Sequence, residues 1–366
     1  MLIGIPREIK LEERRVSLTP AGVKAFVKHG HQVIIEQKAG RGGGITDNAF
    51  RAAGGTIARS NVTVWARADM IMKVKEPLES EFSLMRENQI IFTFLHLAAK
   101  KKLTTALLKK KSIGIAYETV QLKDGTLPIL KPMSEIAGRL SVQLGAQGLE
   151  VKSGGGGVLL GGAQGVSPAR VTILGGGSAG FRAGEVASGM GGLVTILEIN
   201  KHRMDLLRDL FNNRVVVKRS TPRSLEREVV KADLVIGAVL SPGAKAPKLI
   251  TRNLARKMKR GAVIVDIAVD QGGCSETIRP TTHGQPFYSL YGVVHCGITN
   301  LPSTVPLTST LALTRASFPY ALEIANKGYL TAAKDNPAIR RGINVVNGKI
   351  TNQAVSEALG LAYHNI

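Results

Sequence analysis

The stretch that most constrains this chain is Arg170-Val-Thr-Ile-Leu-Gly-Gly-Gly-Ser-Ala-Gly180. An apolar run ends in Gly175-x-Gly177-x-x-Gly180, and residues compatible with a helix follow at once, so a strand must turn directly into a helix. In such a turn the first glycine permits the bend, the second lets a pyrophosphate approach the backbone, and the third lets helix and strand pack closely. A second apolar run, Leu193-Val-Thr-Ile-Leu197, ends in Glu198, where a carboxylate is expected to accept hydrogen bonds from an adenosine ribose. A chain with 41 glycines, four of them consecutive at 154–157, produces glycine patterns by chance in flexible loops. The flanking strands and the acid in the required order favour the dinucleotide reading. Glu198 selects NAD over NADP because its charge repels a 2′-phosphate, and Lys201, His202 and Arg203 just beyond it oppose that preference.

At 366 residues the chain exceeds what one core usually supports, so two domains are expected. It contains no uncharged apolar run of about 18 residues, and Met1-Leu-Ile-Gly-Ile-Pro-Arg-Glu-Ile-Lys10 has neither the basic start nor the long apolar middle of a signal peptide. The expectation is a cytoplasmic protein that does not engage a membrane. Cys274 and Cys296 lack zinc or disulfide spacing, so no metal site is expected. A net charge of +22 raises the question of nucleic acid, yet the basic residues are spread out. The densest runs, Lys100-Lys-Lys102 and Lys109-Lys-Lys111, frame Leu103, Leu107 and Leu108 as on a solvated helix. With 4% aromatic residues and no recognised module, weak salt-sensitive contact with polyanions is expected rather than specific nucleic-acid binding.

Before the glycine turn the chain reads as alternating strands and helices. Strands are expected at 2–5, 32–36, 70–74, 89–93 and 112–117. Helices are expected from Thr19-Pro20 towards Gly30, from Thr46, and through the lysine-framed segment. From Ser134, the residues Ile136, Leu140 and Leu144 share one face of a long helix crossing between domains. Strands at 171–174, 193–197, 215–218, 234–237 and 263–266 fit a doubly wound nucleotide domain. From Pro306 the chain turns helical and is expected to return to the first domain. The fold class is therefore α/β with two domains: a Rossmann-type doubly wound domain at 131–305, and a discontinuous α/β substrate domain at 1–130 and 306–366, with a cleft between them.

Candidates for chemistry sit where strands give way to loops. Arg15 and Lys75 are cations at such transitions, His96 ends the apolar run Ile90–Leu95, and Asp266 and Asp270 follow Val263-Ile-Val265 at the carboxyl edge where open α/β sheets bind ligands. Each has a plainer explanation, since a single cation is usually solvated and a histidine after a strand usually fills hydrogen bonds.

Ile3-Gly-Ile-Pro-Arg-Glu-Ile9, Arg15-Val-Ser-Leu-Thr-Pro20, Lys73-Val-Lys-Glu-Pro77, Pro132-Met-Ser-Glu-Ile-Ala-Gly-Arg139, Pro242-Gly-Ala-Lys-Ala-Pro-Lys248 and Asp266-Ile-Ala-Val-Asp-Gln-Gly-Gly-Cys274 resemble the alanine dehydrogenases. Arg279-Pro-Thr-Thr-His283 and Thr308-Ser-Thr310 extend the resemblance along nearly the whole chain. The nucleotide subunit of proton-translocating transhydrogenase is a relative with a similar fold. The resemblance implies NAD-linked interconversion of L-alanine with pyruvate and ammonia. It implies Arg15 and Lys75 on the substrate carboxylate and carbonyl oxygen, His96 as general acid/base, Asp270 orienting ammonia or water, and Asn300 at the mouth of the substrate pocket. Cofactor contacts are implied for Ser134, Gly175, Gly177, Ser178, Gly180, Glu198, Arg203, Ser220, Val239, Leu240, Ile267, Ile298 and Leu301. A homo-oligomer, a hexamer, is implied in the same way. Three positions depart from the family's pattern: Phe94 for Tyr, Glu198 for the commoner Asp, and Leu301 for Met. The alternatives are a relative acting on another small amino or oxo acid such as glycine and glyoxylate, which Phe94 keeps open, and a basic nucleotide- or polyanion-binding protein without turnover.

Overall fold

The computed structural model describes residues 1–239 and 246–366. In chain order the elements begin with β1 (Leu2–Ile5), α1 (Pro20–Lys28), β2 (Gln32–Glu36), α2 (Asp47–Ala52), β3 (Thr56–Ala58), α3 (Asn61–Arg67), β4 (Met70–Met72), β5 (Ile90–Thr93), α4 (Lys101–Lys110), β6 (Ile113–Ala116) and α5 (Lys131–Gly148). There follow β7 (Arg170–Leu174), α6 (Ser178–Gly189), β8 (Leu193–Glu198), α7 (Lys201–Phe211), β9 (Val216–Arg219), α8 (Pro222–Lys231), β10 (Leu234–Gly237), α9 (Arg252–Arg256), β11 (Val263–Asp266), β12 (Phe287–Leu290) and β13 (Val293–Cys296). The chain closes with α10 (Pro306–Lys327), α11 (Tyr329–Asp335), α12 (Pro337–Gly342), β14 (Ile343–Val346), β15 (Lys349–Ile350) and α13 (Gln353–Leu359). These elements form two compact units, 1–133 with 305–366, and 134–304. Among the described residues no helix is long and apolar enough to cross a membrane.

The first unit is an eight-stranded sheet in the order β15-β14-β6-β5-β4-β1-β2-β3. Strands β6, β5, β4, β1, β2 and β3 run parallel, and β14 and β15 join antiparallel at one edge. Parallel strands covered on both faces need apolar residues throughout. Ile90–Thr93 and Met70–Met72 are indeed fully buried. Trp65 of α3, Leu103 and Leu107 of α4 and Ile71 and Ile91 of the sheet share one core. Thr19 caps α1 through the Gly22 N–H, with Pro20 in the first turn.

The second unit is a seven-stranded sheet in the order β12-β13-β11-β10-β7-β8-β9, parallel except for β12. The chain winds outward through β7, β8 and β9, then returns to β10 on the other side of β7. Such a reversal opens a crevice at the carboxyl ends of β7 and β10. The first unit reverses in the same way between β1 and β4.

Some boundaries differ from those the sequence pattern suggests. Strand β4 stops at Met72 because Lys73 turns into a buried ion-pair cluster. Strand β5 starts at Ile90, β6 spans Ile113–Ala116, and β9 is shifted to Val216–Arg219. The β3–α3 pair and the hairpins β12–β13 and β14–β15 are not among the elements the pattern predicts, and their strands are only two to four residues long. The β14–β15 turn carries Asn347-Gly348, both at positive φ (49° and 74°), which is a recognisable hairpin signature. The β12–β13 turn places Tyr291 and Gly292 at positive φ (57° and 74°), and tyrosine gives no such signature.

Candidate active site

In the first unit Lys75 and His96 follow the carboxyl ends of the adjacent strands β4 and β5, and the segment carrying Arg15 is tethered to the end of β4. Arg15 is drawn to the same edge because the Ser17 hydroxyl donates to the Met72 carbonyl at the end of β4 (2.7 Å). The Arg15 segment and Lys75 therefore sit by the end of β4, which flanks the reversal of that sheet, and His96 follows the next strand, β5.

Arg15 is buried, and its fork is already oriented. Nε donates to Glu13 Oε1 at 2.7 Å and Nη2 to Oε2 at 2.5 Å, while Nη1 lies 3.1 Å from the Met133 sulfur. A bidentate carboxylate of this kind fixes the plane of the guanidinium. Lys75, also buried, sits in a loop built around a different lysine. Lys73 Nζ lies 3.3 Å from Glu8 Oε2 and 3.1 Å from Glu81 Oε1. The same two carboxylates accept the N–H groups of Val74 (2.6 Å) and Leu78 (3.0 Å). Burial disfavours the Lys73 ammonium, but the charges of Glu8 and Glu81 outweigh it and raise its pKa. Lys73 is therefore a buried structural cation that shapes the loop presenting Lys75. His96 is exposed, occupies the left-handed region (φ 49°), and stacks on Phe94 with ring centroids 5.8 Å apart and planes 4° from parallel.

In the second unit the glycine turn closes between β7 and α6. Gly175 adopts φ 93°, and a side chain at Gly180 would collide with the Gly175 carbonyl oxygen. Gly177 is the N-cap of α6, no side chain caps the helix there, and nothing lies within 4 Å of where its Cβ would be. Ser178 opens the helix. A tight turn ending in open, uncapped helix N–H groups is what a pyrophosphate requires, so the residues present fit NAD at this position. Glu198 ends β8 with its carboxylate held by backbone. Oε2 accepts the Gly176 N–H at 2.7 Å, and Oε1 accepts those of Ile199 (2.7 Å) and Asn200 (2.9 Å). Arg203 Nε donates to the Gly176 carbonyl at 2.6 Å, and the Ser220 N–H donates to the Glu198 carbonyl at 2.8 Å. The structure therefore links the glycine turn, Glu198, Arg203 and Ser220 into one piece.

Gly138 of α5 packs against the Ala179 carbonyl so closely that no side chain fits between them. Ser134 lies one helical turn before Gly138 on α5. Val239 follows β10 and lies against Gly175. Leu240 is outside the described residues, as are Pro242 to Lys245 of the Pro242–Lys248 motif.

After β11, Asp266 and Asp270 part company. Asp266 is buried and accepts the N–H groups of Ala268 (2.9 Å), Cys274 (2.7 Å) and Ser275 (3.2 Å), so it staples the loop rather than reacting. Asp270 is exposed on that loop, and its Oδ2 accepts the Asn300 N–H at 3.2 Å. Ile267 begins the same turn, and the buried Ile298 and Leu301 flank Asn300 after β13. Glu8, Glu13, Lys73, Glu81 and Glu118 are the polar residues that reading the sequence overlooked. Glu8 and Lys73 fall inside quoted motifs, but nothing in spacing alone reveals their pairing.

Comparison with known proteins covers both units. The family described as Alanine dehydrogenase/PNT, N-terminal domain, matches residues 4–137, and Alanine dehydrogenase/PNT, C-terminal domain, matches residues 141–353. An alanine dehydrogenase of Methanococcus maripaludis is 55% identical, the alignment covering 99% of this chain and 98% of that one. One of Staphylococcus saprophyticus is 54% identical, covering 100% and 99%. A solved L-alanine dehydrogenase structure is similar with a TM-score of 0.94 at 48% identity, covering 98% of this chain and 99% of that one. The transhydrogenase from Sinorhizobium meliloti shares the fold, with a TM-score of 0.81 at 21% identity over 97% and 100% of the two chains.

Proposed function

This chain belongs to the alanine dehydrogenase family, and on that premise we propose how its own side chains divide the work. The protein is an NAD-dependent oxidoreductase that interconverts L-alanine with pyruvate and ammonia. NAD held at the glycine turn supplies the hydride acceptor for C2 of alanine. Arg15 binds the substrate carboxylate, because a planar fork oriented by Glu13 meets both carboxylate oxygens at once. Lys75 binds the carbonyl oxygen at C2 of pyruvate and, with Arg15, holds the imino acid in place. Asp270 orients the incoming water, or ammonia in the reverse direction. His96 takes and returns the protons as the carbinolamine forms and collapses. Asn300 lines the substrate pocket beside Asp270. Ser134, Gly175, Gly177, Ser178, Gly180, Glu198, Arg203, Ser220, Val239, Leu240, Ile267, Ile298 and Leu301 hold the cofactor. We further propose a cytoplasmic homo-hexamer, whose subunit number light scattering on the purified protein tests directly.

The observation that supports the residue roles is that Lys75 and His96 follow the adjacent strands β4 and β5 while Ser17 ties the Arg15 segment to the end of β4. The test is NADH formation from L-alanine and NAD at mildly alkaline pH, beside glycine, L-serine and NADP. Turnover confined to alanine and NAD is the expected result. Faster turnover of glycine would move the substrate to another small amino acid, with Phe94 the first residue to change to Tyr.

A further inference from the structure

The exposed loop that carries His96 is held by one carboxylate. Glu118 lies in a single helical turn, Tyr117–Thr119, that follows β6 beside the end of β5. Its Oε1 accepts the His96 N–H at 2.6 Å, and its Oε2 accepts the Leu95 N–H at 3.2 Å. The same Oε1 lies 3.8 Å from His96 Nδ1. The turn is itself fixed, because the Thr119 hydroxyl donates to Asn344 Oδ1 of β14 at 2.9 Å. On its other side the imidazole rests on the Phe94 ring, which is buried and meets Tyr117 edge-on at 5.2 Å.

A histidine in the left-handed region is unfavourable on its own, and it persists where surrounding bonds over-determine it. Two charge-assisted hydrogen bonds from consecutive N–H groups to one carboxylate do this, since such bonds are about twice as strong as neutral ones. The conformation of residue 96 sets the direction of its Cα–Cβ bond, and the Phe94 ring limits the swing of the imidazole. We propose that Glu118 is a positioning residue for the reaction: it acts through His96, fixing the backbone from which the imidazole reaches the substrate. This rests on the reading of His96 as the general acid/base.

The test is a double-mutant cycle on the full-length protein, using His96→Ala, Glu118→Gln and the pair together, with steady-state turnover and NADH binding by fluorescence. Glutamine keeps the volume of Glu118, but its amide NH2 faces a backbone N–H, so one of the two bonds is lost. Displacement of a reacting group by an ångström costs up to about a hundredfold. Glu118→Gln is therefore expected to lower kcat roughly 30-fold, with the KM for pyruvate and the NADH dissociation constant within about twofold of wild type. In the His96→Ala background the same substitution is expected to change turnover by less than about twofold, because the group it positions is gone. An equal loss in both backgrounds overturns the proposal, as does NADH binding that falls in step with kcat. If the glutamine variant does not fold, Glu118→Asp enters the same cycle and is judged by the same two outcomes. Unchanged turnover in His96→Ala alone refutes the acid/base reading itself, and is distinguishable because it appears without any change at Glu118.

Discussion

Arg15 is a buried cation whose orientation is borrowed from Glu13, and that dependence is measurable. Glu13→Gln leaves the side-chain shape but removes one of the two charged acceptors that hold the fork. The KM for pyruvate is expected to rise about tenfold with kcat changed much less, the pattern of lost uniform binding. A drop in kcat with unchanged KM would instead tie Glu13 to the transition state. Glu76, adjacent to Lys75, supplies a pH-dependent term. Burial would raise its carboxyl, but the hydrogen bond and charge of Lys10 and the charge of Lys75 bring it down from 4.5 to about 2. A depressed carboxylate stabilises the fold above the unfolded pKa, and the contribution, on the order of 3 kcal/mol, is lost as pH falls from about 4.5 to 2. Urea midpoints at pH 7 and pH 2 should therefore differ less for Glu76→Gln than for wild type. Arg15 and Lys75 stand out in the sequence through the family motifs that carry them, since position alone leaves a solvated cation as the plainer explanation. Carboxylate partners do not, since Glu8 meets Lys73 and Glu118 meets His96 only after strand order is set.

Within the elements, the turn from β7 into α6 was legible because Gly175 and Gly180 answer local steric demands and Gly177 leaves open space for a phosphate. Two of these roles separate experimentally. Gly180→Ala drives a methyl group into the Gly175 carbonyl, so the turn must open and the second unit loses stability. Gly177→Ala meets nothing within 4 Å, so the fold is expected to keep its melting temperature within about 2 °C while NADH binding weakens at least roughly tenfold. Calorimetry and NADH titration on both variants check the pair. A Gly177→Ala protein that binds NADH normally would show that no phosphate approaches there. The β12–β13 hairpin is hidden in the sequence for the opposite reason. Strands β12 and β13 are specified by pairing with each other and with β11, and four-residue segments around Tyr291-Gly292 carry too little periodicity to declare it.

For the whole molecule, the net charge of +22 is carried by basic residues spread along the chain. Its densest runs are partly answered within the first unit. Lys100 pairs with Glu76 (3.3 Å), Lys102 with Glu79 (2.7 Å) and Lys111 with Glu87 (3.4 Å), as the solvated-face reading of that helix implied. The last two are exposed pairs, which contribute about 0–1 kcal/mol each, whereas Glu76 is buried, and most of the cationic surface is left to the solvent and its counterions. A spread of charge without a stacking platform attracts polyanions through counterion release alone, so affinity must fall steeply and linearly on a logarithmic salt axis. Anisotropy with a fluorescent DNA duplex is therefore expected to register binding at about 20 mM salt that is lost by about 200 mM. Turnover of alanine, set by groups within the two units, should change by less than about threefold over that range. Binding that stayed flat across the titration would mean contacts other than phosphate neutralisation, and would remove the electrostatic account of the surface charge.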